Sequence, residues 1–183
     1  LYISPGFLDM HVHVFEGYGI FGMDPRLYGK VWGVHGMADC GTCGTDNLPL
    51  FKKCLLQEVE EETKLKLWLS ISRFGLPSNH ENFDFSALDP QTTAACAVEN
   101  ADLVIGIKVR INNDIKGPDA LVPLHRALEA AELAQMPLMV HISAGPPEVK
   151  EILPHLRAKD VVTHIYNGKA GSPFNEDGSP IQE

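Results

Sequence analysis

Short apolar runs alternate with segments of helical periodicity along most of the chain, and this alternation constrains the fold more than any other feature. The segments between the runs have one-sided apolar stripes or helix-start signals, at 24–31, 47–63, 90–99, 119–135 and 146–157. The runs themselves have the length and residue types of β-strands, at 7–13, 34–40, 66–72, 103–110, 137–142 and 160–165. Since strands that alternate with helices form parallel sheets covered by helices, the sequence predicts an α/β protein.

The number of units narrows the architecture further. Six strand–helix units fit a (β/α)₈ TIM-type barrel that stops two units short, with residues 1–183 as a single partial barrel domain and the tail 168–183 as a loop. An open doubly wound sheet is the alternative, but no strand is followed by a complete glycine-rich phosphate loop. Two helix starts have recognisable signals, Asn47 as a cap and Asp89 followed by Pro90.

Composition excludes several classes of protein. The formal net charge of −9 argues against nucleic acid as a partner, because phosphate binding needs clustered Lys and Arg. No run approaches the ~18 apolar residues of a membrane helix, and the start at Leu1 has no secretory signal. The four cysteines fit a reduced setting, so a cytoplasmic location and a small-molecule substrate are expected. The oligomeric state is left open, and a homo-oligomer is compatible with the sequence.

The first strand carries a pair of histidines, His11-Val12-His13. Residues two apart on a strand point the same way, so both imidazoles could bind one divalent ion such as zinc. Three more candidates stand at the ends of later apolar runs, namely Lys108, His141 and His164. Each has an ordinary alternative: an exposed His-x-His pair, core histidines bonded to backbone, or a lysine that reaches solvent.

Lys108 is the hardest of these to explain as a structural residue. It follows Ile105-Gly106-Ile107, where burial is expected, and Arg110 faces the same way two residues later. Burial lowers the pKa of a lysine, and a neutral amine can react with carbon dioxide to give a carbamate, which is a carboxylate-like ligand. One ion would then bind His11, His13 and carboxylated Lys108, and a second would bind Lys108, His141 and His164. Two ions ~3.5–4 Å apart can share a hydroxide and polarise a carbonyl, so hydrolysis is the expected reaction.

At these residues the chain resembles a known family. The opening Ser4-Pro5-Gly6-Phe7-Leu8-Asp9-Met10-His11-Val12-His13 is similar to the first motif of the amidohydrolase superfamily. The segments 105–110, 139–141 and 160–169 resemble its dihydroorotase-like branch, and more narrowly metallohydrolases of the amidohydrolase/deacetylase kind. The resemblance implies a distorted barrel with two divalent ions such as zinc, an N-carboxylated Lys108, and hydrolysis of an amide, cyclic amide or ester.

The resemblance also implies roles for residues beyond the ligands. Asn167 and Gly168 would border the substrate pocket, and Arg110 would meet a substrate carboxylate, although ion pairing is its alternative from the residues alone. The loops 14–24 and 73–90 would flank the same pocket. Asp9 and Asp39 are the carboxylates near strand ends; neither suits the general base, and Asp9 is expected to orient the histidines.

The sequence departs from the family pattern at its ends. The family has a catalytic Asp after strand eight and a small β-sandwich, so the Asp is expected beyond Glu183, and the sandwich and last two barrel units are expected to be absent here. The 183 residues alone are therefore expected to be inactive. The leading function is deacetylation of a small acylated amino or hydroxy acid, followed by dihydroorotase-like ring opening. The alternatives are a non-catalytic assembly partner and a single-metal barrel of the kind that has Glu in place of Lys108.

Overall fold

A computed structural model describes residues 3–56, 63–169, 173–175 and 177–180. Within these ranges six strands form one parallel sheet in the order of the sequence, β1 to β6. Their bounds are Phe7–Val12, Val34–Cys40, Lys64–Ser70, Val104–Arg110, Leu138–His141 and Val161–Thr163. All six predicted strands are confirmed, and only the third is displaced, by two residues. That strand begins with exposed Lys64 and Lys66 alternating with buried Leu65 and Leu67, so its polar positions hid its true start.

The helix predicted at 90–99 has the expected bounds, whereas the other described helices are shorter than the sequence predicts. They are α1 (Pro25–Tyr28), α2 (Leu48–Phe51), α3 (Pro90–Glu99), α4 (Val122–Leu133) and α5 (Val149–Ile152). A π-helical turn, Lys52–Leu56, continues α2, and 3₁₀ turns at Lys30–Trp32, Phe85–Ala87, Gly117–Asp119 and Leu153–His155 lie beside the other helices. The rest of the predicted helix 47–63, at 57–62, lies outside the described residues.

The two predicted helix starts differ in outcome. Asp89 caps α3 as predicted, because its side chain accepts hydrogen bonds from the backbone N–H groups of Gln91 and Thr92. Asn47 occupies the N-cap position of α2 as predicted, but its side chain makes no capping hydrogen bond to the helix. Its Oδ1 instead accepts from the backbone N–H of Gly44, 2.8 Å away, so this amide stabilises the preceding turn.

The sheet is curled, as an incomplete barrel requires. In a flat sheet with strands about 4.8 Å apart, β1 and β6 would be separated by about 24 Å. Here His11 Nδ1 on β1 lies 2.7 Å from Thr163 Oγ1 on β6. The described chain therefore forms six consecutive strands of a TIM-type barrel, five of them followed by a described helix, and the carboxyl ends of the strands converge.

The core has two parts, one on each face of the curled sheet. The larger one lies between sheet and helices and includes the fully buried Leu67, Ile107 and Leu138. The smaller one fills the inside of the curl and consists of Ala38, Cys40, Trp68 and Met139. This inner cluster is apolar and close-packed, so it forms a floor beneath the side chains at the carboxyl ends of the strands. Among the described helices, none combines the length and apolar character needed to cross a bilayer.

Candidate functional site

Four imidazoles meet at the carboxyl ends of the first strand and the last two strands, β1, β5 and β6. His11 lies on β1 and His13 directly follows it, whereas His141 ends β5 and His164 directly follows β6. The ring centroids of His11 and His164 are 4.6 Å apart, and those of His141 and His164 are also 4.6 Å apart. The His11 and His13 centroids are 5.5 Å apart. Residues 153 positions apart in the chain thus form one continuous cluster of rings.

His164 joins this cluster in a backbone conformation that side chains seldom adopt. Its φ is +68°, in the left-handed region, where a residue with a Cβ costs about 1–2 kcal/mol. Strain of this kind persists only where the surrounding structure imposes it, and it occurs preferentially at functional sites. The turn ends β6 and brings the ring against both His11 and His141.

Lys108 lies on β4, beneath the rings, and is buried. Its side chain belongs to a residue only 5% exposed, and its Nζ has no hydrogen-bond partner among the described residues. Burial lowers the pKa of this amine from 10.5 to about 8, partly opposed by the nearby thiol of Cys40. A lysine that reaches solvent is thereby excluded, and a substantial part of the amine is neutral at mildly alkaline pH.

The same environment keeps the imidazoles uncharged. Burial, followed by the positive charge of Lys108, lowers the pKa values of the rings from 6.5 to about 3, about 4 and about 2 for His11, His13 and His141. The pKa of His164 is lowered for the same two reasons. Neutral imidazole is the form that coordinates divalent metal ions. The described cluster therefore presents four potential donors in the required state.

Two threonine hydroxyls contact the rings. Thr163 Oγ1 is 2.7 Å from His11 Nδ1, and Thr42 Oγ1 is 2.7 Å from His13 Nδ1. With Nδ1 engaged in both rings, Nε2 is the remaining nitrogen for a ligand. Asp9, which was expected to orient the histidines, holds the backbone of His11 but makes no hydrogen bond to either ring within the described residues. Its carboxylate accepts from the backbone N–H of His11 and from the Tyr28 hydroxyl, because at this register it faces α1.

A cavity of about 350 Å³ opens above the cluster. Its lining includes all four histidines, Lys108 and Arg110. Loop 14–24 contributes Phe21, and loop 73–90 contributes Leu76, Asn79, Glu81 and Asn82. The lining therefore combines apolar side chains with polar and charged ones, as a site for a small polar molecule with an apolar part requires.

The Arg110 guanidinium in the cavity lining is already paired. Its Nε and one Nη hydrogen-bond both carboxylate oxygens of Glu81, at 2.6 and 3.0 Å. The same Nη also contacts the backbone carbonyl of Asn79 and the carboxylate of Asp114. The ion-pair alternative is thus present, and a substrate contact for Arg110 remains a prediction.

Two further candidates for substrate binding, Asn167 and Gly168, lie in the loop after β6. Asn167 and Gly168 are not among the described residues that line the cavity. The Asn167 side-chain Oδ1 accepts a hydrogen bond from the backbone N–H of Lys169, and its buried Nδ2 has no partner among the described residues. Gly168 has φ +67°. Their role at the substrate pocket remains a prediction. Within the ranges that the structure describes, no three His, Cys, Asp or Glu side chains form a ready-made metal site.

Comparison with known proteins places the chain in a family, although no family model matches it. Over 96% of its length it is 32% identical to the deacetylase Atu3266 of Agrobacterium fabrum, of which it covers 44%. It is 31% identical over its whole length to a deacetylase of Enterococcus faecalis, of which it covers 49%. The chain thus spans about half the length of the curated relatives it matches.

Two solved enzyme structures also resemble this chain in both fold and sequence. A dihydroorotase structure superimposes with a TM-score of 0.85 and 31% identity over 92% of this chain and 46% of that one. An adenine deaminase structure superimposes with a TM-score of 0.90 and 32% identity over 100% of this chain and 49% of that one. The chain belongs to the amidohydrolase superfamily.

Sequence reasoning missed several polar residues around the cavity of this amidohydrolase chain. Thr42 and Thr163 contact the histidine rings, and Glu81 pairs with Arg110. Thr163 directly precedes His164, so its position at the end of a strand was an available signal. Glu81 stands within a loop that was expected to flank the pocket, but nothing in its local sequence distinguishes it from a solvated glutamate.

Proposed function

We propose that the protein containing this chain is a metal-dependent amidohydrolase that cleaves the amide or ester bond of a small acylated amino or hydroxy acid. The observation that carries the proposal is the convergence of four neutral imidazoles and one buried, unpartnered lysine on a single cavity. The deacetylase names of the relatives favour acyl transfer to water. The structural likeness to a dihydroorotase makes cyclic amide hydrolysis the second candidate.

We assign five ligands to two divalent ions and propose zinc as the metal, because zinc suits a nitrogen-rich donor set. His11 and His13 would hold one ion, His141 and His164 would hold the other, and Lys108 would bridge them. This division gives each ion two imidazoles. When bound, the ions would activate a water molecule and polarise the scissile carbonyl.

Lys108 becomes a ligand only after modification. Its neutral Nζ would attack the carbon of carbon dioxide, forming an N–C bond and releasing a proton, which leaves an N-carboxylate. Burial supports this step in two ways: it keeps part of the amine uncharged, and it leaves Nζ with no competing hydrogen bond among the described residues. The product offers two oxygens, as a bridge between two cations requires.

Other parts of the chain would bind substrate. We assign a substrate carboxylate to Arg110, whose second Nη has no partner within the described ranges, and contacts at the pocket rim to Asn167 and Gly168. The proton carrier is proposed to be an Asp that follows Glu183 in the sequence. Asp39 is unsuited to that role because both its carboxylate oxygens already accept backbone hydrogen bonds.

The test is made on the protein in its full natural length. We expect about two divalent ions per subunit by elemental analysis and hydrolysis of an N-acetyl amino acid, with dihydroorotate and an O-acetyl hydroxy acid as further substrates. Lys108→Ala should lose bridging and activity, and short carboxylic acids should restore part of both. Lys64→Ala, which removes an exposed lysine of β3, is the matched control and should behave as wild type. Full activity of Lys108→Ala without added acid would refute the proposed ligand set.

A further inference from the structure

Asn82, in the loop 73–90, lines the cavity and is held by the end of β4. It is 8% exposed, and its Nδ2 donates to the backbone carbonyl oxygen of Arg110 at 2.7 Å. The neighbouring Glu81 carboxylate binds the guanidinium of the same arginine. Residues 81 and 82 are therefore fixed to both the side chain and the backbone of Arg110, which follows Lys108 by two positions on the same strand.

The contact with Arg110 determines which way the side-chain amide of Asn82 faces. A carbonyl oxygen can only accept a hydrogen bond, so the end of the amide that touches it must be the NH₂ group. Oδ1 is then the other end of the amide. No donor among the described residues contacts Oδ1, and this oxygen is not fully buried. Asn82 thus offers an acceptor in a fixed position to a ligand in the cavity that it lines.

Apart from the proposed metal ligands, the other described polar side chains of the lining offer no equivalent acceptor. Both carboxylate oxygens of Glu81 are occupied by Arg110, whose guanidinium can only donate. The Ser70 hydroxyl already accepts a backbone hydrogen bond. Asn79 is exposed and contacts Arg110 through its backbone carbonyl, so no described contact fixes its side-chain amide. The fixed acceptor on this part of the lining is therefore Asn82.

An acceptor of this kind selects for ligands that have an N–H group. A ligand that fills the cavity removes water from Oδ1, and a buried acceptor left without a donor is costly. A secondary amide supplies the missing donor, whereas an ester has only oxygen at the same position. Sites built to hydrogen-bond an N–H group reject analogues that lack it far more strongly than apolar pockets reject a difference in size.

We propose that Asn82 is a specificity-determining residue whose Oδ1 accepts a hydrogen bond from a substrate N–H, so that the site favours amides and cyclic amides over esters. The inference rests on the proposed function, because it chooses between the amide and ester substrates named there. It gives Asn82 no part in the cleavage of the bond.

The experiment compares matched substrates in the zinc-loaded protein at its full natural length. Each pair is an N-acetyl amino acid and the O-acetyl 2-hydroxy acid with the same side chain, so the two differ only in N–H against oxygen. Asn82→Leu removes Oδ1 at similar volume, and Asn82→Asp keeps an acceptor oxygen. Asn79→Leu is the matched control, since it removes another amide from the same lining. The measured quantity is kcat/KM for the amide divided by kcat/KM for the ester.

We expect Asn82→Leu to lower this ratio about 10–100-fold, because only the amide loses a hydrogen bond. The greater intrinsic reactivity of esters is the same in every variant, and the lost bond to Arg110 affects both substrates, so neither changes the ratio. Asn82→Asp and Asn79→Leu should stay within about threefold of the wild-type ratio. Asn82→Ala is measured in parallel, and the result is read from whichever variant keeps the wild-type circular dichroism spectrum.

Equilibrium binding to metal-free wild-type protein tests the same inference without a variant. The N-acetyl compound of a pair should bind at least about tenfold more tightly than its O-acetyl counterpart. An unchanged ratio in Asn82→Leu, an equal fall in Asn79→Leu, or equal or absent binding within every pair would overturn the inference. If wild type hydrolysed neither kind of substrate, the proposed function would fail, and the binding comparison would still decide the role of Asn82.

Discussion

Gly41 offers a direct test of how tightly Lys108 is held. It lies in the turn after β2 with φ +84°, and a Cβ placed on it would be 2.7 Å from Lys108 Cγ and 3.1 Å from Lys108 Cβ. These lysine atoms are close to the backbone of a buried strand, so they cannot move aside as the end of an exposed side chain could. Gly41→Ala should therefore both strain the turn and displace the amine.

The expected loss of unfolding free energy in Gly41→Ala has two contributions. A left-handed residue with a Cβ costs about 1–2 kcal/mol, of which about 0.4–1 kcal/mol is offset because alanine restricts the unfolded chain. Forcing an extra methyl group into a packed region costs a further 1–3 kcal/mol or so. We expect Gly41→Ala to lower the free energy of unfolding by about 2–4 kcal/mol. Gly17→Ala is the control, since Gly17 has φ +75° and nothing within 4 Å of its Cβ position. It should cost about 0.5–1 kcal/mol.

Urea unfolding of the metal-free, full-length protein measures both variants. A second measurement, the ¹³C signal of a carbamate after exposure to labelled carbon dioxide, reports whether the amine still reacts. Gly41→Ala should lose most of this signal and Gly17→Ala should keep it. If Gly41→Ala were no less stable than Gly17→Ala and reacted equally well, the close packing of this turn against Lys108 would be refuted.

Two further predictions concern charge. Metal-free protein should lose about 5 kcal/mol of stability between pH 7.5 and pH 5. Histidines in the unfolded chain bind protons below pH 6.5, whereas the lowered folded pKa values of His11, His13 and His141 keep these three rings neutral in the folded protein. The raised pKa of Asp39, about 6, offsets about 1 kcal/mol of this, and a urea midpoint that does not change with pH would contradict the prediction. Glu81→Gln should cost about 2–3 kcal/mol because it removes the buried carboxylate that hydrogen-bonds the largely buried Arg110 and leaves only the more distant Asp114. Asp46→Asn, which breaks the exposed pair with Arg73, should cost less than about 1 kcal/mol, and equal losses in urea unfolding would refute the dependence on burial.

The fold could be predicted because its signals are local. Apolar runs, helical stripes and the Asp89–Pro90 start depend on residues only a few positions apart, and each contributes independently to the same parallel sheet. The convergence of the histidines follows from the same pattern, because residues at the carboxyl ends of strands share one end of a barrel. The short α2 and α5 were not predictable, since apolar spacing alone does not distinguish a helix of four residues from one of twelve.

The hydroxyl partners of the rings could not be predicted from local patterns. Thr42 is 29 positions from His13, and Thr163 is 152 positions from His11, so both contacts depend on the register of strands that are distant in sequence. Asp9 makes no described hydrogen bond to either ring for a related reason. An irregularity in the pairing of β1 with β2 between Asp9 and Val12 changes which side chains share a face, so strict alternation no longer holds.

Lys108 and Arg110 show how the same strand geometry leads to opposite chemistry. Both cations lie two residues apart on β4 and line the same cavity, as alternation predicts. A guanidinium does not lose its proton in proteins, so a largely buried Arg110 requires a carboxylate, which Glu81 provides. An amine can become neutral instead, and Lys108 has no such partner among the described residues. An arginine at position 108 would place a permanent positive charge without a counterion beneath the imidazoles. A reactive amine at this position therefore requires lysine at 108 and arginine at 110.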